Sequence, residues 1–244
     1  MFSQEELSAF LEAGRVADEV FELRADYRAM LIAVDGIVPA ARDDKSEALL
    51  MVAETAARDS LREGTPEEIP HVAAWREAYR EFGAKPSRTR NSLEALLRRC
   101  DSGLPRVNLL TDIYNAISIL HQVPVGGEDL SRYVGPPRLV RATGEEIFDT
   151  VAGGEPVVEH PDPGEVVWCD DAGVTCRRWN WRQARRTQLR EDTTSAFFVI
   201  DALGPMSDQA LRAAGDDLVE HLGSLGPDVR AAWRIIANTT EQGD

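Results

Sequence analysis

Cysteine, histidine and long apolar segments are all scarce in this chain of 244 residues. Its three cysteines, Cys100, Cys169 and Cys176, form no C-x-x-C pair, and their odd number argues against a disulfide framework and for a reducing compartment. The four histidines are scattered, so no structural zinc site is expected. No window approaches 18 uninterrupted apolar residues, so neither a transmembrane helix nor a membrane partner is expected.

Positive charge is limited as well, because 27 lysines and arginines face 42 aspartates and glutamates and leave a formal net charge of −15. Such a chain repels polyanions over most of its surface, so DNA is not an expected partner, and any contact with RNA has to be local and sensitive to salt. The first residues, Met1 to Glu6, lack the basic and apolar regions of a signal peptide. Together with the cysteine pattern, this predicts a cytoplasmic protein.

Familiar catalytic signatures are absent too, since the sequence holds no G-x-S-x-G, H-E-x-x-H, Walker loop or dinucleotide fingerprint. No metal or organic cofactor is therefore expected. Cys169 and Cys176 fall in predicted strands, where cysteines are more often inert core residues than nucleophiles. An apolar content of 43% and a charged content of 28% are ordinary for a folded domain with a substantial core.

The apolar periodicity changes character halfway along the chain. Before Val123 helices are predicted for residues 3–14, 44–62, 71–82, 91–100 and 107–120, with strands at 20–24 and 29–34. After Val123 strands are predicted at 139–141, 156–158, 165–168, 174–176 and 197–200, with a hairpin turn at 170–173, followed by helices at 207–222 and 227–237. This order predicts an α+β protein. No linker divides it, so we expect one domain over 1–244 with a helical extension at 206–240.

One segment departs from the acidic composition. Between Cys176 and Arg190 the chain carries six arginines and no acid, and two of its five tryptophans, Trp179 and Trp181. Guanidinium groups and indole faces together suit bases, phosphates and carboxylates. If residues 178–182 form a strand, the tryptophans share one face and Arg178, Asn180 and Arg182 the other. The alternative is a core face of tryptophans behind solvated arginines.

Three polar side chains, Asn108, Asp112 and Asn115, follow one another at helical spacing on an otherwise apolar predicted helix. A polar stripe in such a helix has to be hydrogen bonded internally or line a cavity. Both interpretations stay open at the level of the sequence.

Two weaker patterns complete the candidates. Lys85 begins a basic cluster that runs to Arg90 and continues at Arg98 and Arg99. It is either a capped helix N-terminus with solvated arginines or a site for phosphate or carboxylate. Gly126 and Gly127 form a predicted turn, where glycine either serves the backbone geometry or lets a ligand approach the main chain.

Several motifs from Tyr79 onward occur in a characteristic order. They are Phe82-Gly83-x-Lys85-Pro86-Ser87, Ser92-Leu93-Glu94-Ala95-Leu96, Asn108-x-x-x-Asp112-x-x-Asn115, Pro124-Val125-Gly126-Gly127, Arg141-Ala142-x-Gly144-Glu145, Gly164-Glu165-Val166-Val167 and Arg177-x-Trp179-Asn180-Trp181. Together they resemble a free-standing B3/B4 domain, the module found in the β subunit of bacterial phenylalanyl-tRNA synthetase, over roughly residues 20–205. The resemblance implies N-terminal helices packed on mixed or antiparallel sheets. It also implies a pocket for the aminoacyl group at a tRNA 3′ end, where the synthetase module hydrolyses mischarged tyrosyl-tRNA.

The resemblance also places individual residues. Tyr114 stands where the synthetase pocket has a threonine, and Gly126 where it has a histidine near the substrate. Asp201 falls near the glutamate that reads the tyrosine hydroxyl. The Trp-Asn-Trp-Arg segment replaces a glycine-rich pocket wall, so tyrosine is not the expected amino acid. The synthetase's catalytic core is missing, so the chain is not expected to aminoacylate tRNA.

The leading hypothesis is an editing deacylase that hydrolyses mischarged aminoacyl-tRNA in trans. Asp112 or Asp201 would orient water or bind the substrate ammonium. Under this hypothesis the residues that contact the aminoacyl group are Asn108, Tyr114, Asn115, Gly126, Gly127, Trp179, Asn180 and Trp181. Those that contact RNA phosphate are Lys85, Arg177, Arg178 and Arg182.

Two alternatives remain open. One is a non-catalytic module that binds tRNA or a small molecule. The other is a receptor or enzyme for a free amino acid or related carboxylate, which the acidic composition favours. The expected partner under the leading hypothesis is the aminoacylated 3′ end of a tRNA, bound transiently. The oligomeric state does not follow from the sequence.

Overall fold

A computed structural model describes residues 1–62 and 64–238. Its helices are α1 (Gln4–Ala13), α2 (Asp18–Leu23), α3 (Asp44–Ser60), α4 (Pro70–Glu81), α5 (Ser92–Leu97), α6 (Leu109–Leu120) and α7 (Asp208–Gly223). Its strands are β1 (Arg15–Val16), β2 (Arg28–Asp35), β3 (Val125–Asp129), β4 (Arg138–Arg141), β5 (Phe148–Ala152), β6 (Glu155–Glu159), β7 (Val166–Asp170), β8 (Gly173–Arg177), β9 (Arg182–Gln183), β10 (Ser195–Ala202) and β11 (Arg230–Ala237). The predicted α+β class is confirmed.

The strands form three sheets. A four-stranded antiparallel sheet has the order β11-β2-β10-β3, and a five-stranded mixed sheet has the order β1-β4-β7-β8-β9. Strands β5 and β6 form a separate hairpin. The predicted turn at 170–173 joins β7 to β8. The mixed and antiparallel sheets agree with the fold expected from the resemblance.

Side-chain caps begin several of the predicted helices. Ser3 and Glu6 form a capping box at α1, and Asp43 and Ser46 form one at α3. Asn108 caps α6 by accepting a hydrogen bond from the Thr111 amide. These local signals explain why the helix starts were readable from the sequence.

The four-stranded sheet is covered on both faces. Phe198 and Ile200 of β10 pack with α6 and α7, whereas Phe197 and Val199 on the opposite face pack with α1, α4 and the five-stranded sheet. This explains why β10 is buried along its whole length. A site between the sheets can therefore receive side chains from alternate positions of β10.

Three local predictions are wrong. Residues 20–23 belong to helix α2 rather than a strand, and Arg24 is its C-cap; Asp18 and Glu19 lie in the first turn, where acids suit the helix dipole. In the predicted helix at 227–237, Arg230–Ala237 form strand β11 instead, because pairing with β2 satisfies the hydrogen bonds of that edge. The glycine turn is strand β3, paired with β10.

The predicted domain of 1–244 and its extension at 206–240 both run past the described residues, since 239–244 lie outside them. Among residues 1–62 and 64–238, none of the helices combines the length and the apolar character that crossing a bilayer requires.

Candidate functional site

A cavity of about 230 Å³ lies between the two larger sheets. Helices α5 and α6, strands β3, β7, β8, β9 and β10, and the turn at 178–181 all contribute to its wall. Its polar lining includes Asn115, Glu128, Asn180, Gln183 and Asp201, and its aromatic lining is Tyr114, Tyr133, Trp168, Trp179, Trp181 and Phe197.

Strand alternation places two carboxyl groups in this cavity. Phe197, Val199 and Asp201 all line it, since alternate residues of β10 share a face. The paired strand β3 contributes Gly126 and Glu128, which lie opposite Val199 and Phe197. Asp201 and Glu128 thus enter the cavity from neighbouring strands, four residues apart in register.

Asp201 is held by two side-chain donors. The Tyr27 hydroxyl donates to its Oδ1 at 2.5 Å, and the Asn180 amide donates to its Oδ2 at 3.2 Å. Asp201 is 2% exposed, and burial raises its pKa to about 7. A carboxyl group with this pKa exchanges a proton readily near neutral pH, as a general base must.

Glu128 is held by neutral hydroxyl groups. The Tyr133 hydroxyl donates to Oε2, and a hydrogen bond from the Thr175 side chain also acts on the carboxyl group. Burial raises the pKa of Glu128 to about 7 as well. Neither Glu128 nor Asp201 forms an ion pair with any described residue.

Cys176 also lines the cavity, but burial raises the pKa of its thiol well above the usual value. The thiolate form that a nucleophile requires is therefore disfavoured. Within the described parts of the chain, no group of three or more His, Cys, Asp or Glu side chains is arranged to hold a metal ion.

The Trp-Asn-Trp segment forms a turn, so the alternation expected of a strand does not apply. Arg178 and Trp179 have positive φ angles of 48° and 67°. Trp179 is fully buried against Tyr27 and Trp75, whereas Trp181 is half-buried at the cavity wall. Asn180 is fixed between them because the Tyr79 hydroxyl donates to its Oδ1 at 2.9 Å.

The arginines of the basic segment are largely occupied by acids. Arg177 is 6% exposed and donates to both carboxylate oxygens of Glu165, at 2.9 and 2.8 Å. Arg178 donates to Thr89, lies 3.4 Å from Glu165 and stacks 4.7 Å from the Trp181 ring centre. Neither Arg177 nor Arg178 lines the cavity. The sequence missed this pairing because Glu165 is 12 residues from Arg177 along the chain.

Three further cations lie closer to solvent. Arg182 lines the cavity, stacks on Trp181 and is 3.7 Å from Glu159. Arg99, a member of the basic cluster that begins at Lys85, also lines the cavity, is exposed and forms no ion pair with a described residue. Lys85 is exposed and outside the lining.

Asn108, Asp112 and Asn115, the polar residues at helical spacing, do not share one role. Asn108 caps the helix and donates to the Leu189 carbonyl at 3.3 Å, and Asp112 pairs with Arg42 and accepts from the Val107 amide. Neither lines the cavity. Asn115 does, together with its neighbour Tyr114, because these two positions face β3.

The two glycines of β3 point in opposite directions. Gly126 lines the cavity, where an added Cβ would lie 3.3 Å from the Gln183 amide nitrogen. Gly127 faces away, and its Cβ would lie 2.7 Å from the Phe198 ring. Gly126 keeps cavity space open, whereas Gly127 accommodates a core ring.

Glu128, Tyr133, Gln183 and Arg99 were missed as cavity residues. Glu128 had a usable signal, since it follows Gly126 by two residues and would share its face if the segment were a strand. The prediction of a turn concealed that relation. Arg99 was part of a predicted basic cluster but was not assigned to a cavity, and Gln183 carried no signal, because only the packing of α5 and β9 brings them there.

No curated protein shows significant sequence similarity to this chain. Among solved structures, an N-terminal fragment of the phenylalanyl-tRNA synthetase β subunit from Pyrococcus horikoshii aligns with a TM-score of 0.45 and 12% identity. The alignment covers 91% of this chain and 50% of that fragment, so the chain spans half the length of its structural relative. The B3/4 domain profile matches residues 74–214, which is more than half of the sequence and contains both carboxyl-bearing cavity strands. The chain belongs to the B3/4 domain family.

Proposed function

We propose that this protein binds the aminoacyl group at the 3′ end of a tRNA and hydrolyses its ester bond in trans. The observation that carries the proposal is Asp201, a buried carboxyl group with a pKa of about 7 inside an aromatic cavity. Family membership supports the proposal, since the synthetase β subunit contains this module.

The size of the cavity suits an amino acid. A volume of about 230 Å³ corresponds to roughly eight water molecules at about 30 Å³ each, which is the scale of an amino-acid ligand. Aromatic walls with a few amide and carboxyl groups are typical of small-molecule sites. A whole nucleotide does not fit in this space, so only the aminoacyl group would enter.

In the proposed reaction Asp201 accepts a proton from a water molecule that attacks the ester carbonyl carbon. The carbon–oxygen ester bond breaks, Asp201 returns its proton to the leaving ribose oxygen, and the products are the free amino acid and the terminal ribose hydroxyl of the tRNA. Tyr27 and Asn180 fix the orientation of the carboxylate, which favours a positioned water. Each oxygen of Asp201 keeps a further lone pair for that water.

A release assay with a panel of aminoacyl-tRNAs tests this proposal. We expect at least one pair to be hydrolysed faster than in buffer, and Asp201→Asn to reduce that rate by about 10²–10⁴-fold, the usual contribution of a general base. Asp192→Asn is the matched control, because Asp192 is exposed and forms no ion pair with a described residue. Release at the buffer rate for every pair would defeat the proposal.

A second function is favoured by the pairing of Arg177 and Arg178 with Glu165, which leaves few cations for RNA. On this view the cavity binds a free amino acid. A single amino acid would then raise the melting temperature strongly, while no aminoacyl-tRNA would be hydrolysed.

A further inference from the structure

We propose that Glu128 and Tyr133 form a subsite for the free α-ammonium group of the aminoacyl ligand, so that the site rejects ligands whose amine is acylated. The inference rests on the proposed function, because it takes the ligand to be an aminoacyl group. It assigns a role to a buried carboxyl group that the hydrolytic step does not use.

Glu128 differs from most buried acids of this protein in its partners. The others that pair with arginine are Asp35, Glu54, Glu94, Asp112, Glu165 and Asp170. Asp129 lies outside the cavity and is hydrogen bonded by Ser131 and Thr193. Among the described buried acids, Glu128 and Asp201 are thus the two that line the cavity and form no ion pair.

An uncompensated carboxylate in an apolar cavity is costly unless a positive charge joins it. Aromatic rings line the same cavity, and their faces attract ammonium groups. The Glu128 carboxylate, which is bonded by hydroxyl groups and forms no ion pair, supplies the acceptor. Every aminoacyl group, whatever its side chain, carries a positive charge at its α-ammonium.

The spacing of the two carboxyl groups fits a ligand with an ammonium at one end and an ester at the other. Glu128 lies opposite Phe197, four residues before Asp201, which corresponds to about 13 Å along the strand. An ammonium bonded to Glu128, the adjacent ester carbon and a water bonded to Asp201 together span about 11 Å at ordinary contact distances. The two lengths agree to about 2 Å.

A matched pair of substrates tests the subsite: one aminoacyl-tRNA and the same molecule with its α-amine acetylated. We expect wild-type kcat/KM to be about 10–100-fold higher for the free amine, the range for a hydrogen bond to a charged group. Glu128→Gln should lower kcat/KM for the free amine mainly through KM and leave the acetylated substrate unchanged. Glu191→Gln, at an exposed position, is the control and should change neither.

The outcomes separate the inference from the proposed function. Equal cleavage of both substrates by wild type would overturn the subsite and leave the hydrolase intact. A loss that affects both substrates equally in Glu128→Gln would show a structural role and also overturn it.

If neither substrate is cleaved, the proposed function fails. Binding measured by calorimetry then tests the subsite without requiring hydrolysis. The probes are a panel of amino-acid amides and their N-acetyl derivatives, titrated into the whole chain. Binding of an amide at least 10-fold tighter than its acetylated partner would support the subsite. Equal binding, or none for every amide, would refute it.

Discussion

Arg177 shows that the partner of a side chain, rather than its charge, decides what it can do. In the sequence it stands in the most basic segment, and in the fold it is buried and bonded to both oxygens of Glu165. Glu128 is the opposite case, since it follows two glycines in an unremarkable segment and lines the cavity without forming an ion pair. Both cases follow from one physical rule, which is that a buried charge requires a partner.

At this scale we predict that Arg177→Ala destabilises the fold, because it removes both Arg177 hydrogen bonds from the buried Glu165 carboxylate and leaves only the more distant guanidinium of Arg178 beside it. The expected loss in the free energy of unfolding is about 3–5 kcal/mol, measured by urea denaturation. Arg185→Ala is the control and should cost less than about 1 kcal/mol, since Arg185 pairs with Asp149 at an exposed position. A stable Arg177→Ala protein that has lost RNA affinity would instead indicate a phosphate contact.

A second residue-scale prediction concerns the pH dependence of stability. The folded chain holds the proton of Glu128 up to a pKa of about 7, whereas an unfolded glutamate releases it near 4.5. Its contribution to the free energy of unfolding therefore falls as the pH rises between these values. We expect Glu128→Gln to raise the melting temperature by roughly 2–6 °C at pH 8 and to have little effect at pH 4. A gain of equal size at both pH values would contradict the shifted pKa.

At the scale of elements, the positions of the site residues depend more on the turns between helices and strands than on the helices and strands themselves. The turn at 178–181 uses left-handed backbone at Arg178 and Trp179, which buries Trp179 and leaves Asn180 beside Asp201. A strand at the same residues would have placed Asn180 and the arginines together. The end of α6 uses the same conformation at Gln122, with a φ of 51°.

We predict that Gln122→Gly stabilises the protein, because glycine adopts this helix-ending conformation without steric cost. The expected gain is about 0.5–1 kcal/mol, or a rise in melting temperature of roughly 1–4 °C. The side-chain hydrogen bond from Gln122 to Ser60 is exposed, so its loss costs little. Ala213→Gly is the control, since the same residue introduced at an exposed position inside α7 should lower the melting temperature. A lower melting temperature for Gln122→Gly would contradict the left-handed backbone conformation at Gln122.

At the scale of the whole molecule, the net charge of −15 opposes contact with a polyanion. The cations that line the cavity are Arg99 and Arg182, and only Arg99 is without an ion pair among the described residues. A tRNA would therefore be held by few phosphate contacts and by its aminoacyl group.

The small number of phosphate contacts limits the salt dependence of tRNA binding. We expect the slope of log K against log salt to stay below about 3, because each phosphate contact contributes about 0.7–0.9. Fluorescence anisotropy with a labelled aminoacyl-tRNA between 50 and 200 mM salt measures it. Arg99→Ala should reduce the slope by about 1, and Arg80→Ala, at an exposed position outside the cavity lining, should not. A slope of 6 or more would require a basic surface that the described chain does not present.

The α+β class, most helices and their caps, and the hairpin between β7 and β8 follow from the sequence alone, because these depend on contacts within a few residues. The residue patterns also pointed to Asn115 and Asn180, which line the cavity, since they are polar side chains in apolar or aromatic surroundings. Tyr114 and Asp201 were indicated by the family resemblance.

Which charged side chains remain available to a ligand depends on the tertiary structure. The pairing of Arg177 with Glu165 and of Asp112 with Arg42 joins residues distant in the chain, so no local pattern indicates which cations and acids remain available. The register of β3 against β10 set Glu128 in the cavity with Asp201, and the turn at 178–181 brought Asn180 to that carboxylate. Sequence periodicity reports which residues share a face of one element, whereas a site depends on which faces of different elements meet.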